Sequence, residues 1–118
     1  MAVTAIRTIT INLTGDVISD KIYSAAQNAV SPGAITFQTL VGGNNTITVP
    51  IVAGFTVKAA TIIPPAGNTQ SLTLKGVAGD TGILISNTDP TSIGFETAPA
   101  TFVLNAGGTI VGLRIVWT

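Results

Sequence analysis

Apolar and polar residues alternate with a period of two over most of this chain. Across residues 5–14, Ile9, Ile11 and Leu13 fall on one parity and Thr8, Thr10, Asn12 and Thr14 on the other. Successive side chains of an extended backbone point to opposite faces, so the alternation predicts a half-buried β-strand. Gly15 and Asp16 end it. Residues 34–41 repeat the pattern, and Gly42-Gly43-Asn44-Asn45 is a strong turn signal before Thr46-Ile47-Thr48-Val49-Pro50. Those two runs predict a β-hairpin.

Residues 56–63 predict the next strand, with Val57, Ala59, Thr61 and Ile63 on one side. Pro64 and Pro65 cannot donate to a ladder, so the chain turns there or runs along an edge. Residues 71–75 predict a strand, 76–82 a glycine-rich loop, and 82–86 a short strand whose Ile83-Leu84-Ile85 implies burial on both faces. Asn87-Thr88-Asp89-Pro90 predicts an Asx-type turn. Residues 91–95, 101–105 and 109–117 complete the set. Ser19 can cap a short helix over 20–29, ended by Ser31-Pro32-Gly33, but the helical periodicity is poor and an extended connection is preferred. The expected fold is all-β: a single-domain antiparallel β-sandwich, jelly-roll-like, of about eight strands. Residues 1–33 form an N-terminal strand and connecting arm, within the same domain or reaching a neighbour, and residues 34–118 form the body.

Composition narrows the chemistry. Charged residues make up 8% of the chain, against roughly a quarter in an ordinary domain. There is no His and no Cys, which removes imidazole acid–base catalysis, thiolate nucleophiles, thiolate metal sites and disulfides. Arg7, Lys21, Lys58, Lys75 and Arg114 are scattered singly in a chain of formal net charge +0. Nucleic acid and anionic membranes, which need clustered cations, are therefore not expected partners.

The mean hydropathy is +0.60, high for a protein bathed in water. No run approaches the ~18–20 apolar residues of a spanning helix. The first residues lack a secretory leader's basic start and apolar block. Most predicted strands fall short of the about 9–11 residues of an outer-membrane barrel, and aromatic girdles are absent. A membrane location is not expected. A folded monomer of 11.9 kDa exposes roughly 6,000 Å². So few charges leave about 600 Å² each, the width of a large apolar patch. That implies a subunit covered by neighbours.

The candidate sites are few. In Gly76-Val77-Ala78-Gly79-Asp80-Thr81-Gly82, Lys75 precedes the glycines and a strand follows, opposite to a phosphate-binding loop, so a structural turn is expected. Asp80, Asn87, Asp89 and Glu96 have oxygens suited to calcium, but turn formation accounts for them without a metal. Paired-carboxylate hydrolysis has nothing to position it. Trp117, Tyr23, Phe37, Phe55, Phe95 and Phe102 offer a sugar-stacking platform, against which a core role is preferred, with the Trp117 indole N–H finding a partner at the sandwich end. Asn12-Leu13-Thr14 and Asn44-Asn45-Thr46 match the glycosylation pattern by chance. The expectation is a non-enzyme with no catalytic, cofactor or metal residues.

Several segments resemble small virion proteins of tailed bacteriophages. They are Ser31-Pro32-Gly33; Gly43-Asn44-Asn45-Thr46-Ile47-Thr48-Val49-Pro50; Thr61-Ile62-Ile63-Pro64-Pro65-Ala66-Gly67-Asn68-Thr69; Leu72 through Gly82; Thr88-Asp89-Pro90-Thr91-Ser92; and Leu113-Arg114-Ile115-Val116-Trp117-Thr118. The likeness runs from about residue 30 to the end and is a pattern of strands and turns with no catalytic signature. It implies a structural role: a capsid decoration or cement protein, in the virion after assembly in the host cytoplasm. The partners would be the major capsid protein or other virion subunits and sister copies, with trimers at three-fold positions favoured. A tail, neck or baseplate subunit shares these features, and a carbohydrate- or receptor-binding sandwich is the further alternative.

Overall fold

Alternating β-branched, leucine and aromatic residues place the chain in strands, as their fit to a pleated, half-buried surface requires. The computed structural model describes residues 4–11, 23–32, 34–51, 54 and 56–118, with side chains from residue 34 onward. These form β1 (Thr4–Ile11), β2 (Tyr23–Pro32), β3 (Ala34–Leu40), β4 (Gly43–Thr48), β5 (Ala59–Ile63), β6 (Leu72–Lys75), β7 (Ile83–Ile85), β8 (Thr91–Gly94), β9 (Thr101–Ala106) and β10 (Ile110–Trp117), with no helix among the described residues. Eight of them make two four-stranded antiparallel sheets, ordered β3-β10-β5-β8 and β4-β9-β6-β7. β1 and β2 make a separate antiparallel pair.

The expected all-β, sandwich-like arrangement is present. The core lies between the two four-stranded sheets: Leu40, Ile62, Ile110, Leu113, Ile115 and Trp117 from one, Ile47, Leu72, Phe102 and Leu104 from the other. Trp117 stands in register with Ala34 on one side and Ala60 on the other. Two alanines leave room for an indole that is 0% exposed. Its Nε1 donates to Thr36 Oγ1 at 3.0 Å. Its ring meets Phe102 of the opposite sheet at 6.0 Å between centroids and 59° between planes, a favoured tilted aromatic contact.

β10 explains how an uneven apolar pattern still faces inward. Ile110 is even-numbered, whereas Leu113, Ile115 and Trp117 are odd, so strict alternation would expose one set. A register shift between Val111 and Leu113 inserts one residue, and Gly112 takes φ 83 there. This is a β-bulge with glycine in the left-handed region. It returns all four side chains to the core.

Several expectations need correction. The runs at 34–41 and 46–50 do not pair as a hairpin: β3 belongs to one sheet and β4 to the other. Leu40 and Ile47 both have to be buried, and placing the strands in facing sheets buries both. The Asn45 amide satisfies the corner, receiving Val41 N–H at 3.0 Å and donating to Val41 O, Gly43 O and Leu104 O. In β5 the core face is Ala60 and Ile62 rather than Thr61 and Ile63, because register with β10 sets them beside Trp117 and Ile115. β7 is not buried on both faces. It is the last strand of its sheet, and Ile83 and Leu84 are 68% and 73% exposed.

At 87–90 the turn is held by Ser86, whose Oγ accepts from Thr88 N and Asp89 N, while Asn87 O accepts from Asn68 Nδ2. The expected connection over 20–29 is extended where described, but it is a strand registered against β1 rather than a free arm. The expected strand end at Asn12 to Asp16 and the helix cap at Ser19 lie outside the described residues.

Urea unfolding of three variants checks this account. Replacing Asn45 by Ala removes several bonds at the corner, each worth about 0.5–1.5 kcal/mol, and the loss should reach about 2–4 kcal/mol. Gly112→Ala meets nothing within 4 Å, so its cost is the backbone strain of about 1–2 kcal/mol. Gly82, at φ 80, would place a Cβ 2.6 Å from Leu74 O, so Gly82→Ala should cost clearly more than Gly112→Ala.

Candidate functional site

The glycine-rich loop closes on itself. Asp80 Oδ2 accepts from Gly76 N at 3.1 Å and Val77 N at 3.0 Å, and Asp80 N donates to Val77 O at 3.1 Å. The amide hydrogens that would face a phosphate are thus directed to the chain's own carboxylate. Lys75 reaches sideways: its Nζ donates to Asn44 Oδ1 at 3.2 Å and Ala78 O at 3.5 Å. Asn105 Nδ2 donates to the same Asn44 oxygen at 2.8 Å, and Asn44 Nδ2 to Ala78 O at 3.3 Å. This exposed amide–ammonium network pins the loop to β4 and β9. Sequence reasoning missed it, because the registry of Asn44 with Asn105 appears only once strands distant in sequence pair.

The oxygen-bearing side chains considered for calcium are not assembled. Asp80 serves its own turn, and Asp89 and Glu96 are exposed. Among the described residues no three His, Cys, Asp or Glu side chains gather as a metal site. Asn44, in one glycosylation match, has its amide engaged as above; Asn12, in the other, lies outside the described residues.

The aromatics divide. Trp117 and Phe102 are core, and Phe95 packs against it half-buried. Phe37 departs from the core expectation at 71% exposed. It sits on the outward parity of β3, opposite Arg114. Phe55 and the side chain of Tyr23 lie outside the described residues. No described pair of aromatics makes an outward sugar platform.

What the surface offers is apolar. Ile35, Phe37, Val41, Ile51, Val77, Ile83, Leu84 and Val111 are all exposed. Ile35, Phe37 and Val111 share the outer face of β3 and β10. A cleft of about 460 Å³ opens between the β6–β7 side of one sheet and β8 of the other, walled by Leu74, Ile83, Ile93, Phe95, Pro99 and Phe102. Lys75 and Asp80 supply its charged groups. A second opening, about 500 Å³, lies among Val49, Pro50, Ile51, Val57 and residues 97–101. Most of the side chains lining the first cleft are apolar, a surface suited to burying apolar groups. Among the described residues no helix is long and apolar enough to cross a membrane.

Comparison with known proteins identifies no relative: the chain matches no family model, no curated protein and no solved structure.

Because Trp117 joins the sheets, Trp117→Ala should act on stability rather than on a surface function. The expected cost, measured by chemical denaturation, is about 3–5 kcal/mol, the range for deleting a large buried aromatic.

Proposed function

We propose that the chain is a non-enzymatic structural subunit of a bacteriophage virion, and specifically a decoration or cement protein of the head. The observation that carries this reading is the apolar surface. Among the described residues Ile35, Phe37, Val41, Ile51, Val77, Ile83, Leu84 and Val111 are large hydrophobics left exposed, and charged residues make up only 8% of the chain. Monomers seldom leave so much apolar surface uncovered.

Two further features support it. Successive strands from β3 onward change sheets at every step except β6–β7, giving the orders β3-β10-β5-β8 and β4-β9-β6-β7. We read this as a jelly roll, an architecture used by viral capsid domains. The argument from architecture is one of analogy. The segment resemblance to tailed-phage virion proteins points the same way. The mechanism is mechanical. Outer apolar faces and open sheet edges bury against the major capsid protein and sister copies, adding stabilisation in proportion to the area removed from water at each site.

Imaging of native particles tests this directly. The expected result is density for this chain at many equivalent positions on the head, retained after washing in 1 M salt, since contacts of this kind are little screened. Absence from purified particles, or release by moderate salt, overturns the reading.

A further inference from the structure

We propose that two copies of this chain pair edge to edge through β3, antiparallel about Phe37, joining their β3-β10-β5-β8 sheets into one eight-stranded sheet. The inference is independent of the virion reading, because it concerns the purified chain alone.

An edge strand presents a row of unpaired N–H and C=O groups, a ready template for pairing with another extended backbone. Among the described residues the two four-stranded sheets have four such edges: β3, β8, β4 and β7. Three are blunted. β7 has three residues and β8 four, and β8 follows Pro90 between the carboxylates Asp89 and Glu96. β4 opens on Gly43 at φ 103. β3 is the longest, seven residues reading Ala-Ile-Thr-Phe-Gln-Thr-Leu, with no charge, proline or glycine. A run of that length and composition carries none of the sequence devices against strand addition: charge, proline or short length.

The chain's own neighbouring strand does not cover this edge. β2 is separated from β3 by Gly33 alone, too short for the two-residue loop of even the tightest common hairpin, and β2 pairs with β1.

The sequence of β3 suits its own copy. Antiparallel pairing centred on residue 37 sets Phe37 against the partner's Phe37 and Ile35 against the partner's Thr39, all on the outer face. Two aromatic rings and two isoleucines then gather where each copy alone leaves Phe37 71% and Ile35 52% exposed. A two-fold contact brings any charge in β3 close to its own copy, most directly at the central residue, and β3 carries none. The chain's zero formal charge adds no long-range repulsion.

The test is sedimentation of the full chain over a wide concentration range, with two variants. Phe37→Lys opposes two ammonium groups at the two-fold and should raise the dimer dissociation constant at least about thirty-fold, the loss expected of a central aromatic anchor. Leu84→Lys, on β7, should leave it unchanged. Residue 37 is exposed, so circular dichroism of Phe37→Lys should match wild type. Register is read by mixing Ile35→Cys with Thr39→Cys in this cysteine-free chain; oxidation should give a disulfide-linked dimer from the mixture. A wild type that stays monomeric, or a Phe37→Lys variant that dimerises as wild type does, overturns the proposal. So does dissociation of Phe37→Lys without the 35–39 cross-link, which would assign the edge to another segment, such as the β1–β2 hairpin of a second copy.

Discussion

Contact between Trp117 and Phe102 across the interior is the constraint on which the two sheets depend. Each ring comes from a strand internal to its sheet, β10 in one and β9 in the other. For the indole to sit there, its flanking positions must be small, and they are Ala34 and Ala60. Its N–H must also be satisfied away from water, and Thr36 does this from the adjoining strand. A buried donor left unpaired would cost about 1–3 kcal/mol, so the hydroxyl at position 36 and the bulge at Gly112 belong to the same solution. Together they let an irregular sequence present Ile110, Leu113, Ile115 and Trp117 to a common core.

The same economy of charge that makes the interior easy to fill makes the exterior hard to wet. Asn and Ser side chains are spent on the chain's own corners: Asn45 at the β3–β4 crossing, Asn68 against Asn87, Ser86 under the 87–90 turn. Amides and hydroxyls used in this way hold loops in place but leave Ile35, Phe37, Val111 and Leu84 facing outward. A polypeptide whose polar side chains are spent on its own turns has fewer of them left to wet its outer faces.

Much of the architecture was legible in the chain order. Strands at 34–40, 59–63, 72–75, 91–94, 101–106 and 110–117 follow from period-two alternation and from breakers such as Pro64-Pro65 and the 76–82 glycines. What was not legible was which strands meet. Gly42-Gly43-Asn44-Asn45 reads as a hairpin turn because turn chemistry is local; whether the chain folds back in one sheet or steps to the facing one depends on where Leu40 and Ile47 are both buried. Ile83-Leu84-Ile85 reads as doubly buried because an edge strand carries no mark of its missing neighbour. The Asn44–Lys75–Asn105 network joins residues 31 and 61 positions apart, beyond the reach of any local pattern.

By itself, then, the sequence determined the class of structure and the poverty of its chemistry. Alternation sets strand from helix locally, and the absence of His and Cys is a matter of composition. Tertiary structure decided the partners of each strand, the inward face of β5, and which hydrophobic residues remain outside. Those outcomes arise from burial, which is shared among residues far apart along the chain and is therefore a property of the assembled sheets, not of any one stretch of residues.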